Sequence, residues 1–278
     1  MLQQIWTEMK ETFFPTWQDC PFCQNPLGQS GKSWGRSGLC RNCIQEIEAL
    51  ELDLVQCQRC SKYLRLPKEF LESRKLKDLR LPREHICENC SEQEPLFQGA
   101  WNIGPYEGLL RQAIHDLKYK GRRNVAVPLG KMMAQQIWLY GPNSSLMNPW
   151  GDLYGAVLIP IPLHADKLYS RNFNQSYLLA KSIAEETALP VADVLVRKGD
   201  TETQAHLGRY ERLRNLEGQF ELAQGAVLLN KAGQQAKVAI LVDDVYTTGA
   251  TVTEATKVLR QSGVDSVYVV TASAGIGV

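Results

Sequence analysis

From residue 97 onward, apolar runs and amphipathic segments follow one another in a way that predicts alternating strands and helices. Continuous apolar runs are typical of strands covered on both faces, and three are present: residues 156–161, 238–242 and 267–271. Apolar residues at helical spacing predict helices in three further stretches: residues 109–119, 128–138 and about 177–187. This alternation favours a doubly wound parallel sheet with helices on both faces, whose ligand is expected at the carboxyl ends of the strands.

The run at 238–242 leads into the most informative stretch of the chain. Two adjacent carboxylates, Asp243 and Asp244, stand where the strand is expected to end. A turn of small and hydroxylated residues follows, before a helical pattern begins: Thr247, Thr248, Gly249, Ala250 and Thr251. Free N–H groups at such a turn, together with the positive end of a helix dipole, receive an anion. The stretch therefore predicts a phosphate site, against the plainer interpretation of a buried strand with a polar turn.

The acidic pair narrows the kind of phosphate ligand. The stretch lacks the Lys that follows the glycines of a Walker loop, whereas carboxylates suit a ligand with hydroxyls or a bound magnesium ion. The segment V-D-D-V-Y-T-T-G-A-T resembles the ribose-phosphate signature of type I phosphoribosyltransferases. This resemblance implies that Asp243 and Asp244 hold the ribose hydroxyls, that the turn holds the 5-phosphate, and that the ligand is phosphoribosyl pyrophosphate with magnesium. Tyr246 departs from the family, which usually has a small aliphatic residue there.

All eight cysteines fall into four C-x-x-C pairs: Cys20/Cys23, Cys40/Cys43, Cys57/Cys60 and Cys87/Cys90. Two such pairs complete a tetrahedral thiolate site, so about two structural zinc ions are expected. Four disulfides would suit a small secreted domain, and four redox motifs in one chain would be unusual. Sequential pairing is simplest, but the pattern leaves a crossed arrangement open. We expect a small cysteine-rich zinc-binding domain over residues 1–95, with an N-terminal helix, and an α/β domain over 96–278.

Two polar segments are candidates for contact with pyrophosphate. The stretch 158–175 follows a strand and offers Lys167 and Arg171 as donors, unless it is a surface loop whose asparagines cap the next helix. The stretch 197–216 is long and polar, which is typical of a lid, with Arg212 facing pyrophosphate charge. A solvated helix is the alternative for that stretch. A lid would protect an oxocarbenium-like state from water.

Charge and hydropathy exclude some classes of protein. A net charge of +1 gives no bulk attraction for nucleic acid, so DNA binding would need a local basic patch such as the insertion 63–85 or the arginines of 209–214. No apolar run approaches the roughly 20 residues of a membrane span, and the N-terminus lacks a signal pattern. We therefore expect a cytoplasmic protein without membrane insertion.

The order of motifs over nearly the full chain resembles the ComF family. The C-x-x-C pairs come first, followed in sequence by five segments: H-D-L-K-Y-K-G, I-P-I-P-L-H, R-N-F-N-Q, T-Q-A-H-L and R-L-R-N. The acidic pair and its turn complete the series. The resemblance implies a type I phosphoribosyltransferase-like domain preceded by zinc fingers, a link to DNA uptake in natural competence, and partners such as single-stranded DNA and a DNA-uptake helicase.

Two functions follow as hypotheses. The first is a phosphoribosyltransferase acting on an acceptor that the sequence does not identify, with Asp243, Asp244 and Arg212 at its reacting centre. The second is a non-catalytic protein that handles single-stranded DNA with a phosphoribosyltransferase fold. A purine-salvage transferase is less favoured because a zinc region is foreign to it.

Overall fold

The computed structural model describes residues 19–27, 37–51, 53–65, 85–141, 153, 155–198 and 218–277. Its strands are β1 (Leu54–Gln56), β2 (Tyr63–Arg65), β3 (Gly99–Asn102), β4 (Val157–Pro160), β5 (Leu195–Arg197), β6 (Phe220–Leu222), β7 (Val238–Tyr246), β8 (Ser266–Ala274) and β9 (Ile276–Gly277). Its helices are α1 (Arg41–Ala49), α2 (Glu88–Glu92), α3 (Gly108–Tyr119), α4 (Ala126–Tyr140), α5 (Ala165–Arg171), α6 (Gln175–Thr187) and α7 (Ala250–Gln261).

The centre of the fold is a four-stranded, wholly parallel sheet in the order β3-β8-β7-β4. The two longest strands, β7 and β8, lie in the middle, and their apolar runs are buried on both sides. Parallel strands with both faces covered read as continuous hydrophobic sequence, which is the pattern from which they were predicted. The predicted α/β fold, of the type I phosphoribosyltransferase-like kind with a cysteine-rich region before it, is confirmed.

Alternate residues of the strands face two separate cores. Val242 and Val270 pack with α3, α4 and α6 on one side, while Leu241 and Val269 pack with α7 on the other. The first two C-x-x-C pairs join the former core, and the last two join the latter. The cysteine region therefore lies against both faces of the sheet. The predicted domain boundary at residue 95 stays a prediction.

A second, three-stranded sheet ties the cysteine region to the end of β8. Strand β1 pairs antiparallel with β2, and β2 pairs in parallel with β9. Asn102 Nδ2 donates to the Ser61 carbonyl over 2.8 Å, and the Ser61 hydroxyl donates to the Ala100 carbonyl. These bonds hold the turn between Cys60 and β2 against strand β3.

Several predicted elements differ from the structure in extent. Strand β7 continues through both aspartates to Tyr246 instead of ending at residue 242, because β8 pairs with it as far as Ala274. Strands β5 and β6 form a separate antiparallel pair. The predicted N-terminal helix, most of the insertion 63–85 and the predicted lid, with Arg209, Arg212 and Arg214, lie outside the described residues. Among the described residues, no helix is long and apolar enough to cross a membrane.

A buried carboxylate in α3 anchors the first cysteine pair to the sheet domain. Asp116 accepts from Arg122 Nη1 over 2.5 Å and from Lys120 Nζ over 2.9 Å, and Arg122 Nη2 also donates to the Pro21 carbonyl over 2.6 Å. Burial alone would raise the pKa of Asp116, but the hydrogen bonds from Lys120 and Arg122 outweigh it and hold that pKa below its usual range. Asp116 and Arg122 thus fix the turn that carries Cys20 and Cys23.

We expect Asp116→Asn to lower the free energy of unfolding by about 3 kcal/mol at neutral pH, because it leaves Arg122 without its buried anion. A carboxylate with a lowered folded-state pKa stabilises the fold above its unfolded pKa and loses that effect as the pH falls through the folded value. Urea unfolding should therefore show that the free energies of unfolding of the parent and the variant converge at acidic pH. Lys120→Ala, at a side chain that is 55% exposed, is the control and should change stability by less than about 1 kcal/mol. Equal stability of Asp116→Asn and the parent at pH 7 would contradict the anchor.

Candidate functional site

The acidic pair lies near the carboxyl end of β7, where α3 and α6 approach the sheet. Asp243 Oδ1 accepts from the Ser176 hydroxyl over 3.0 Å and from the Asp244 N–H over 2.8 Å. Asp244 Oδ1 forms a buried ion pair with Lys118 Nζ at 2.6 Å. The first turn of α6 and the last turn of α3 therefore each supply a side chain that contacts one carboxylate.

The charges of the site are strongly coupled. Burial and the neighbouring charge of Asp244 raise the pKa of Asp243 to about 7. Burial alone would lower the pKa of Lys118, but the attraction of Asp244 outweighs it and raises that pKa. The other carboxylate oxygen of Asp244, Oδ2, is buried and has no hydrogen-bond partner among the described residues. A hydroxyl or a cation reaching this oxygen would satisfy it.

The predicted phosphate turn follows β7 directly and begins α7. Gly249 has φ +81° at the helix N-cap, a left-handed conformation that favours glycine, and the Ala250 N–H donates to Thr248 Oγ1 over 3.4 Å. Thr247 is exposed, and Thr248 and Thr251 are partly exposed. The first N–H groups of a helix have no partner within it, so this turn can receive an anion. The structure thus places the predicted turn beside the acidic pair.

Positive side chains gather at the same end of the sheet. Lys167 and Arg171 lie on the short helix α5, which forms within the segment predicted as a loop. Burial, together with the positive charges of Arg171, Arg197 and Lys118, lowers the pKa of Lys167. Arg171 donates to Gln175 Oε1 over 2.9 Å and stacks over the ring of Tyr119 at 5.1 Å. A cluster of cations this close together is suited to a polyanionic ligand.

Sequence reasoning missed Lys118 and Ser176. Lys118 belongs to the segment H-D-L-K-Y-K-G, whose spacing predicts only a helix, and its partner Asp244 lies more than a hundred residues further on. Ser176 was expected to lie near the start of a helix, which gave no signal for a contact with Asp243. Asn174, expected as a helix cap, does cap α6 by accepting from the Ser176 N–H over 3.0 Å.

The eight cysteines form two separate groups with sequential pairing, which resolves the alternative that the spacing left open. The first group holds Cys20, Cys23, Cys40 and Cys43, and the second holds Cys57, Cys60, Cys87 and Cys90. All eight thiols are free, and the sulfurs of Cys20/Cys43, Cys23/Cys40 and Cys60/Cys87 lie 3.7 Å apart. Sulfurs about 2.3 Å from a central ion at tetrahedral angles would be separated by about 3.8 Å. The two groups could therefore hold two zinc ions.

The fold and the two cysteine groups define a class: a phosphoribosyltransferase-like protein with a region that could bind zinc. No family model matches the chain. It is 26% identical over 254 residues to the DNA utilization protein YhgH of Salmonella typhimurium, covering 90% of this chain and 94% of that protein. It is also 26% identical over 235 residues to competence protein F of Haemophilus influenzae, covering 84% and 89%. Competence protein ComFC of Bacillus subtilis is 35% identical over 107 residues, covering 38% and 39%. These relatives, named for DNA utilization and competence, support the resemblance to the ComF family that the order of motifs indicates.

We expect Asp243→Asn to stabilise the ligand-free protein at pH 8 by up to about 4 kcal/mol, because each pKa unit corresponds to about 1.4 kcal/mol. A carboxyl whose folded-state pKa is raised to about 7 loses stability as the pH rises from its unfolded value near 4, since only the unfolded chain ionises in that range. The gain should therefore shrink to nothing below about pH 4. Urea unfolding at several pH values checks this, with the exposed Asp265→Asn as the control. A variant that is no more stable than the parent at pH 8 would contradict it.

Proposed function

We propose that the site at the end of β7 binds the ribose 5-phosphate group of phosphoribosyl pyrophosphate with magnesium, and that the protein is a phosphoribosyltransferase linked to DNA uptake. The observation that carries the proposal is the buried Asp244 Oδ2, which has no partner among the described residues and lies near a turn whose helical N–H groups could receive an anion. The names of the relatives, which refer to competence and DNA utilization, support the link to DNA uptake.

Each part of the ligand has a chemical counterpart in the site. Asp243 and Asp244 would accept hydrogen bonds from the two ribose hydroxyls, with Lys118 neutralising Asp244 from its other oxygen. The N–H groups of the turn would donate to the 5-phosphate, and Lys167 and Arg171 would lie toward pyrophosphate. Arg212 remains a candidate for the same charge.

The residues also fit a magnesium ion. Hard cations take carboxylate oxygens and ligand phosphates, and Asp243 and Asp244 offer such oxygens beside the proposed pyrophosphate position. Magnesium would supply neutralisation of the pyrophosphate charge. The rest of the rate would come from holding the ribose C1 and an acceptor in line and from the fixed charges around the departing pyrophosphate.

We expect Asp244→Asn to weaken ribose 5-phosphate and phosphoribosyl pyrophosphate binding by about 10- to 100-fold, because a charge-assisted hydrogen bond contributes about 1.5–3 kcal/mol. Calorimetry with magnesium measures this, and circular dichroism checks the fold. Asp265→Asn, a carboxylate 68% exposed and paired with Lys237 at the opposite end of the strands, is the control and should bind as the parent does. If Asp244→Asn also binds as the parent does, the site assignment is wrong. Pyrophosphate release on adding candidate acceptors then tests for transfer.

A second candidate function, the handling of single-stranded DNA, is favoured by exposed aromatics beside the cationic cluster. Tyr119 and Tyr169 are 66% and 87% exposed, Arg171 lies over the ring of Tyr119, and Arg123 lies 4.7 Å from the ring centre of Phe173. Proteins that bind single strands without sequence preference combine stacking aromatics with basic grooves. On this hypothesis the strand would cross the mouth of the proposed sugar-phosphate site.

We expect Tyr119→Ala and Tyr169→Ala each to weaken binding of a mixed-sequence single strand by about fivefold or more, since one base stacked on an aromatic ring contributes about 1–3 kcal/mol. Fluorescence anisotropy measures this at several salt concentrations, and affinity should fall as salt rises. Tyr140→Ala is the matched control, because Tyr140 is also 66% exposed but lies at the far end of α4. Equal losses in all three variants, or none, would count against this surface.

A further inference from the structure

Tyr246, the residue that departs from the family signature, lies between the phosphate turn and the second cysteine group. Its side chain is buried in the same core as Cys60, and both residues line one cavity, so the hydroxyl lies near enough to that thiol to interact with it electrostatically. The ring packs edge-on against Phe97 with a centroid distance of 6.2 Å. The last residue of β7 therefore reaches from the strand that carries the acidic pair to a thiol that could ligate zinc.

The same ring lies directly against Gly249. A Cβ added to Gly249 would stand 2.4 Å from Tyr246 Oη and 3.0 Å from Cζ, so only glycine fits beneath the ring. Gly249 holds the left-handed conformation that begins α7, and the ring restricts how far the turn can move toward the second cysteine group. The backbone of Tyr246 is fixed as well, because its carbonyl accepts from the Gly275 N–H over 2.8 Å.

A cavity of about 260 Å³ joins the two sites along this side chain. Residues from both sites line it, among them Cys60, Cys90, Tyr246, Thr247 and Thr248. The turn and the cysteine group therefore line the same cavity, and Tyr246 lies along it between them. All four cysteines of this group are buried, whereas two of the first group are partly exposed.

We propose that Tyr246 is a positioning residue through which the metal-loaded second cysteine group holds the phosphate turn in its anion-binding conformation. A metal-bound thiolate is a fixed, charged hydrogen-bond acceptor, so the Tyr246 hydroxyl would donate to Cys60. This hydrogen bond would keep the ring packed against Gly249. The inference rests on the proposed function, because it assigns a support to the turn that would bind the 5-phosphate. Linkage requires the reverse effect as well: a ligand at the turn must strengthen metal retention at the second group.

The test measures ribose 5-phosphate and pyrophosphate binding by calorimetry in the zinc-loaded parent and in Tyr246→Phe. The variant keeps the ring and loses only the hydroxyl, so we expect it to retain both zinc ions and to bind ribose 5-phosphate about tenfold more weakly. Pyrophosphate, which does not occupy the turn, should bind both proteins alike. Cys90→Ser should weaken ribose 5-phosphate in the same way, whereas Cys23→Ser, in the first group, is the matched control and should not.

A spectroscopic readout separates positioning from general loosening of the fold. With cobalt in place of zinc, ribose 5-phosphate should shift the visible thiolate–cobalt bands of the parent and slow metal loss to a chelator, and both effects should vanish in Tyr246→Phe. Parent-like affinity and parent-like spectral response in Tyr246→Phe would overturn the inference while leaving the proposed function standing. A parent that binds no ribose 5-phosphate would overturn both.

Discussion

The two neighbouring carboxylates Asp243 and Asp244 repel each other near the end of a buried strand. The ends of α3 and α6 that lie beside this strand supply the groups that offset the repulsion. Lys118 from α3 neutralises Asp244, while the Ser176 hydroxyl from α6 and the Asp244 N–H donate to Asp243. Even so, the pKa of Asp243 stays raised to about 7. Burying both carboxylates without partners would raise the free energy of the folded state. The ends of α3 and α6 must therefore lie at the carboxyl edge of the sheet, where Lys118 and Ser176 contact the carboxylates.

Most of the fold could be predicted from the sequence because its signals are local. Residues 238–242 and 267–271 are apolar in unbroken runs, and parallel strands with two covered faces need that pattern. The glycine turn and its helix likewise follow from neighbouring residues. The extension of β7 through Asp243 and Asp244 was not predictable, since it depends on pairing with β8 as far as Ala274 and not on any preference of aspartate for strands.

The residues of the candidate site also separate into those with a local sequence signal and those placed by long-range contacts. Asp243, Asp244 and the turn are contiguous, and their spacing alone indicated a phosphate site. The role of Lys118 could not be predicted from the sequence, because it depends on α3 packing against the end of β7. Contacts between distant segments leave no periodic pattern in the sequence. The cysteines illustrate both cases: the C-x-x-C spacing predicts thiolate pairs, but which pairs share an ion depends on the fold.

The pairing of β2 with β9 has a consequence for the order in which the protein folds. Each cysteine group draws its ligands from a short span, so metal capture needs only local chain closure. The sheet beside the second group, in contrast, is complete only when Tyr63 meets Ile276, one of the longest-range contacts in the molecule. Contacts between residues so far apart in sequence form late in folding. A nascent chain would therefore carry a metal-loaded second cysteine group whose neighbouring sheet is incomplete until β9 pairs with β2.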